Sequence, residues 1–258
     1  MHNLDSEPNE NELNQIIRSI RMLSPIAVAV TGGEPTLSPH FEYAIGEIAK
    51  FASVVVDTNA TNITESNIGI FIKHNVHVRI SIDSHRPSKN LKTRPPLIKS
   101  NSSFYFDSIW KTLITLNRHN VPVTVNTVAT TSNYDDIINL SNEIKRFNVK
   151  KLRARLVENS KTINDYKKLT GNDKRVNRFI TYISERAVEN SATPIYLSIN
   201  RQRNSLVLVS PIGDFLTESQ FIEQGKILID PENPKCPRLD MIRKRVDMHA
   251  HSSRYLYI

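Results

Sequence analysis

The chain has 258 residues, enough for one sizeable core or two small ones, and a single α/β barrel reaches this size as one domain. Its 39% hydrophobic and 23% charged residues are ordinary for a soluble globular protein, and a single cysteine excludes an internal disulfide framework and points to a reducing compartment, hence a cytoplasmic setting. The 34 Lys and Arg exceed the 26 Asp and Glu by eight, a balance that favours phosphates, nucleotides or nucleic acid, although the basic residues are spread as on a mildly basic surface.

Segment 1–12 is polar and acidic and is no signal peptide, and no apolar run approaches the roughly 20 residues of a membrane span. Asn9 and Glu12 form a capping pair ahead of Leu13, Ile16, Ile17, Ile20 and Leu23, which recur at helical spacing. Pro25 ends that helix, and 26–30 reads as a buried strand. This small-residue strand runs into the turn Thr31-Gly32-Gly33-Glu34-Pro35 and then a helix with Phe41, Ala44, Ile45, Ile48 and Phe51 on one face. Strands follow at 53–56, 76–83, 121–127 and 152–157, separated by helices at 65–74, around Phe106 to Leu116 and around Ile137 to Phe147. The stretch 84–103 reads as a long, basic, proline-bearing loop. Strict strand–helix alternation implies right-handed parallel βαβ units. No internal sequence repeat and no low-complexity tract is evident.

After Val157 the pattern loosens. Residues 160–173 read as a loop, Val176, Phe179, Ile180 and Ile183 as a helix, and 195–199 and 206–209 as strands. Pro211-Ile212-Gly213-Asp214 is a turn leading to a short hairpin partner, and 226–229 a further short strand. The expected organisation is an α/β core over 1–157, with 158–258 as a C-terminal α+β elaboration completing the same fold.

Parallel strands covered on both faces are apolar throughout, and several of these are not. Arg79, Ser81 and Asp83 share one face; so do Thr124 and Asn126, and so do Arg153 and Arg155. Ala27, Ala29 and Thr31 put small residues on one side of the first strand. The pattern describes a curved sheet with helices on its apolar face and a polar cavity on the other, a partial barrel rather than one filled by branched side chains. Ligands of parallel α/β folds sit at the carboxyl ends of the strands. The candidate site is therefore Thr31, Gly32, Gly33, Glu34, Thr58, Asn59, Ser81, Asp83, Asn126, Thr127, Arg153 and Arg155. Gly32 and Gly33 let the backbone approach a ligand, Glu34 suits an ammonium group, Ser81, Asp83 and Asn126 suit a ribose, and the arginines suit a carboxylate or phosphate.

These residues carry a family resemblance. Thr31-Gly32-Gly33-Glu34-Pro35 resembles the GGEP signature of radical S-adenosylmethionine (SAM) enzymes, Asp57-Thr58-Asn59-Ala60 their TNG strand end with alanine for glycine, and Arg79-Ile80-Ser81-Ile82-Asp83-Ser84 their SIDS strand. Val125-Asn126-Thr127-Val128-Ala129-Thr130, with Asn133 and Asp136, resembles the NTVVT…N…D segment of molybdenum-cofactor and peptide-maturing members. The resemblance spans 10–157 and extends loosely to Gly213-Asp214. It implies a partial (β/α) barrel of the TIM type that lacks its first strand. It implies SAM as cofactor, held at the methionine amine by Gly32, Gly33 and Glu34, at the ribose by Ser81, Asp83 and Asn126, and at the carboxylate, or on the second substrate, by Thr58, Arg153 or Arg155.

The family also carries a Cys-x3-Cys-x2-Cys motif for a metal-binding [4Fe–4S] iron–sulfur cluster, whereas this sequence has only Cys236. Three readings follow: a fragment of a radical enzyme that acts on a small-molecule or peptide substrate, a cluster-less pseudoenzyme that binds a nucleotide, or a barrel kept as a protein-binding partner. A barrel lacking its first strand also leaves an unpaired edge beside 26–30, for a partner chain or a rearranged segment to cover. A basic nucleic-acid-binding module, with Arg86, Lys89, Lys92, Arg94 and Lys99 gripping phosphate, ranks last. His249, His251 and Asp247 read as a solvated terminal segment rather than a metal site, and Cys236 as an inert thiol. There is no Walker loop, Gly-x-Gly-x-x-Gly or nucleophile elbow.

Overall fold

In the computed structural model, the structure describes residues 8–94, 102–129, 133–156, 195–199, 207–209 and 215–217. The chain divides into two compact units: one of residues 1–28, 38–54 and 201–258, the other of 29–37 and 55–200.

The first unit holds helices α1 (Glu10–Met22) and α2 (Phe41–Ala49). The expected capping pair is present in full: the Asn9 side chain accepts from the Glu12 N–H at 3.0 Å, and Glu12 accepts from the Asn9 N–H at 2.8 Å. Phe41, Ile45 and Ile48, one helical face of α2, are buried. The Arg21 guanidinium lies over the Phe51 ring at 5.9 Å.

An open six-stranded sheet runs in the order β1 (Ala27–Val30), β2 (Ser53–Thr58), β3 (His77–Ser81), β4 (Val123–Ala129), β5 (Lys151–Leu156), β6 (Ile195–Ile199). The pairings β2–β3, β3–β4, β4–β5 and β5–β6 are all parallel. In chain order, α2 lies between β1 and β2, and the further helices among the described residues are α3 (Glu65–Lys73), α4 (Pro87–Thr93), α5 (Ser102–Arg118) and α6 (Tyr134–Lys145). This is the α/β partial barrel that strand–helix alternation implied. A separate antiparallel pair, β7 (Val207–Val209) with β8 (Phe215–Thr217), bears out the hairpin expected after Pro211. The remaining elements expected over 158–258, with Cys236, His249 and His251, lie outside the described residues.

The faces of the sheet follow from register. Val56, Val78, Ile80, Val123, Val125, Leu152 and Ala154 are essentially inaccessible on one face, where Ile109, Leu113, Leu116, Ile137, Leu140 and Ile144 of α5 and α6 are equally buried. The opposite face carries Asp57, His77, Arg79, Ser81, Thr124, Asn126, Lys151 and Arg153. Trp110 belongs to the core packing: its ring meets Phe106 edge-on and Phe147 at a tilt, each at 5.6 Å.

Helices α3, α5 and α6 return to the sheet in one way. Asn75, Asn120 and Asn148 each take a positive φ of 50–55° and are each followed by a buried valine, Val76, Val121 or Val149. Asparagine tolerates this left-handed position. The Val76 and Val121 N–H groups reach back to the Phe71 and Leu116 carbonyls at 2.9 and 3.0 Å. The local Asn-Val signal thus recurs at successive returns, where the sequence reading noted no repeat.

Two expectations are corrected. The strand read as buried, β1, has no buried residue: Ala29 is exposed and Ile26 just before it is 53% accessible. The stretch 84–103 contains helix α4 and the start of α5 instead of one long loop. Pro87 occupies the first turn of α4, where its missing N–H costs nothing. Asn90, fully buried, accepts from the Asp83 N–H at 2.8 Å and the Ser84 N–H at 3.4 Å, which anchors the helix to the end of β3.

Candidate functional site

The turn after β1 is exposed at Thr31, Gly32 and Gly33 and closes on a buried carboxylate, Glu34, 8% accessible. Glu34 Oε1 accepts from the Thr36 and Thr58 hydroxyls, each at 2.7 Å, and Oε2 accepts from the Asn59 N–H at 2.7 Å. The carboxylate therefore ties the turn to the carboxyl end of β2. Gly32 has φ +152°, a backbone conformation that favours glycine. Among the described residues, no atom beyond the adjoining residues comes within 4 Å of where a Cβ would stand on Gly32 or Gly33, so one edge of this backbone is open.

The next residues continue the same rim. The Thr58 hydroxyl also accepts from the Ala60 N–H at 2.9 Å, and the Thr112 hydroxyl donates to the Ala60 carbonyl at 3.0 Å. Ala60 sits buried at φ +61°, the left-handed position filled by glycine in the TNG pattern, and these bonds hold it there. Ser81 and Asn126 are register partners, with the Ile82 N–H donating to the Asn126 carbonyl at 3.0 Å; Asn126 in turn partners Arg153. Arg155 occupies the same face two residues on, opposite Val128.

Deeper on this face Asp57 pairs with Arg79, its register partner, and its Oδ1 accepts from Asn126 Nδ2 at 3.5 Å. One layer further in, His77 Nε2 lies 2.7 Å from the Thr124 hydroxyl. Burial, then the charges of Lys151 and Arg79, lower the His77 pKa to about 4, so the ring is neutral near pH 7.

Beyond β3 lie two buried carboxylates. Asp83, 2% accessible, accepts from the Val128 N–H at 2.8 Å and from the Thr127 hydroxyl at 3.4 Å, and pairs with Arg94, whose Nη2 and Nε are 3.0 and 2.9 Å from its oxygens. Asn133 donates to the Asp83 carbonyl at 2.8 Å and the Val128 carbonyl at 2.9 Å. Asp136, fully buried, accepts from the Ser84 hydroxyl at 3.1 Å and pairs with Arg86 and with Lys89 at 2.9 Å. Burial alone would raise the Asp136 pKa, but the Lys89, Arg86 and Ser84 hydrogen bonds outweigh it and hold it below its ordinary value.

The structure thus brings together Glu34, Thr58 and Asn59, and separately Ser81, Asn126 and Arg153. Thr31, Gly32, Gly33, Asn59, Ser81, Asn126 and Arg153 retain accessible surface, whereas Glu34, Thr58, Asp83 and Thr127 are enclosed and bonded to other protein groups. The side chain of Arg155 lies outside the described residues. Sequence reasoning missed Asp57, Asn90 and Arg94 as members of these networks. Asp57 was findable: after Val55 and Val56, it is a charged residue on the parity that β3 and β4 also keep polar. Among the described residues, no cluster of three or more His, Cys, Asp or Glu could hold a metal, and no helix is long and apolar enough to cross a membrane.

The family model described as the Radical SAM superfamily matches residues 3–144. Solved structures of similar fold include Streptococcus suis SuiB, at 16% identity and TM-score 0.68 over 90% of this chain and 59% of that one. The same protein bound to precursor peptide SuiA matches at 16% identity and TM-score 0.58, over 83% of this chain and 48% of that one. Native anSMEcpe with bound AdoMet matches at 14% identity and TM-score 0.67, over 96% of this chain and 75% of that one. The chain spans 45–59% of the length of the SuiB structures it matches. No curated protein matches the sequence.

Proposed function

The chain belongs to the radical SAM superfamily, and on that premise we propose that it binds S-adenosylmethionine at the carboxyl ends of β1 to β5. The observation that carries this reading is the Glu34 clasp. It spends the carboxylate on Thr36, Thr58 and Asn59 and so presents the open backbone edge of Gly32 and Gly33. In this reading the backbone of Thr31, Gly32 and Gly33 receives the methionine amine, with Glu34 and Thr58 as its supports. Ser81 and Asn126 meet the ribose hydroxyls, and Arg153 or Arg155 meets a carboxylate. Asp83 and Thr127 act from behind, holding the end of β3 against β4.

SAM, once bound, supplies a sulfonium that can be cleaved to a nucleoside radical by an added electron. The cluster that delivers such an electron does not fit the residues present: a [4Fe–4S] centre in this family needs three thiolates, and these 258 residues hold one cysteine. No reductive step is derived for this chain. A second reading is a relative that binds a nucleotide at the same strand ends, where Ser81, Asn126 and Arg153 retain accessible surface. Where a second substrate is concerned, a peptide is the first to test, because the similar folds include complexes with SuiA and with the Kp18Cys peptide. Nucleic acid is the weaker partner, since Arg86, Lys89 and Arg94 of the basic stretch are engaged by Asp136 and Asp83.

The test is calorimetric titration of the chain with SAM. Saturable 1:1 binding, weakened by Gly33→Ala, supports the reading; absence of binding up to millimolar SAM overturns it.

A further inference from the structure

We propose that Asp57 is a positioning residue of this site. Its carboxylate fixes the Asn126 carboxamide so that Oδ1 is presented as an acceptor, and the site therefore takes a ligand with a hydrogen-bond donor at that point. The identity of the ligand rests on the SAM reading above; the orientation of the amide does not.

Asp57 lies on the polar face of β2, half-buried, with Arg79 as its register partner on β3. Asn126 is on the same face of β4, two residues beyond Thr124, the register partner of Arg79. One Asp57 oxygen accepts from Arg79 Nη2, and the other is 3.5 Å from Asn126 Nδ2. A carboxylate only accepts, so the amide must turn its NH₂ towards it; the reversed amide would set two acceptors against each other. The Asn126 side-chain oxygen, Oδ1, then faces away from Asp57. It is buried and finds no hydrogen-bond partner among the described residues, and the same holds for Arg79 Nε. An unmet acceptor and an unmet donor thus flank one carboxylate, and buried polar atoms left this way are costly unless a ligand or water completes them. The chemistry that completes both is a hydroxyl or amino group donating to Asn126 Oδ1 beside a hydroxyl that accepts from Arg79 Nε.

Two measurements test this. In the side-chain amide NMR spectrum, the Asn126 proton pair is identified by its loss in Asn126→Ala. Asp57→Asn is expected to shift that pair and to speed its exchange with water; an unmoved pair overturns the proposal whatever SAM does. In a calorimetric double-mutant cycle, Asp57→Asn is expected to weaken SAM binding about tenfold in the parent chain and less than about twofold in the Asn126→Ala background. Equal losses in both backgrounds, or no loss in the parent, overturn it, because a purely structural role does not depend on Asn126. If Asp57→Asn does not fold, Asp57→Asn with Arg79→Gln removes both charges of the pair and takes its place. Absence of SAM binding by the parent chain sinks the SAM reading alone, and the amide spectrum then decides the role of Asp57.

Discussion

The Thr58 hydroxyl donates to the Glu34 carboxylate at 2.7 Å across 24 residues of sequence. This bond joins the Gly-Gly turn after β1 to the end of β2, and Asn59 reinforces it through its N–H. Glu34→Gln keeps the shape but replaces an acceptor oxygen with a donor, so either the Asn59 N–H or both the Thr36 and Thr58 hydroxyls lose their acceptor. The expected cost is about 1–3 kcal/mol, read as a lower Tm in calorimetry, with weaker SAM binding alongside it. An unchanged Tm would show that the clasp does not hold the turn.

The two glycines of the turn separate backbone conformation from space. Gly32→Ala meets no neighbour among the described residues but must adopt φ +152°, at a cost of about 1–3 kcal/mol. Gly33→Ala has the same free space without that φ and leaves Tm nearly unchanged, while its methyl fills the open backbone edge and reduces SAM affinity. Equal Tm losses for the two variants would refute the assignment.

Around α4 the ion pairs differ in burial, and so in worth. Asp136→Asn removes a fully buried charge bonded to Ser84, Arg86 and Lys89 and is expected to cost about 1–3 kcal/mol in urea unfolding. Arg86→Ala removes a side chain that is 50% exposed and leaves Lys89 and Ser84 in place, so it costs less than about 1 kcal/mol. Because the folded pKa of Asp136 is depressed, its contribution is present above the unfolded value of 3.8 and is lost as pH falls through the lower folded value. The parent chain should therefore lose more stability than Asp136→Asn in that acid range.

His77 sets a separate pH window. Its folded pKa of about 4 lies below the ordinary 6.5, so the unfolded chain binds the proton more readily between these values. Stability is full above about pH 6.5 and declines as pH falls towards about 4. His77→Gln, which can keep a hydrogen bond with Thr124, should flatten that decline; an identical slope in the variant would contradict the burial of a neutral imidazole.

Much of the fold was legible because its signals are local. The period-3.6 apolar faces of α2 and α6, the Asn9–Glu12 capping pair and the period-2 alternation of Val78-Arg79-Ile80-Ser81 are each written within one turn of helix or one strand. Helix α4 was hidden because its signal is weak and polar. Seven residues with no apolar stripe are held by Asn90 and two buried carboxylates, which lie outside the helix they stabilise. The positive-φ Asn-Val returns were visible in the sequence but gain meaning only once the returning strands are known to be neighbours.

By itself the sequence determined the alternation of strands and helices, the apolar and polar faces, and the Gly-Gly-Glu-Pro turn, because periodicity, capping and glycine conformation depend on residues a few positions apart. Only the tertiary structure decided which polar residues are spent and which are offered. Glu34, Asp83 and Thr58 are consumed by partners 24 to 45 residues away, whereas the space beside the Gly33 backbone is open and the Asn126 side-chain Oδ1 has no hydrogen-bond partner among the described residues. The physical reason is that a hydrogen bond depends on distance and direction, and those are set by strand register across the sheet, which no local pattern encodes.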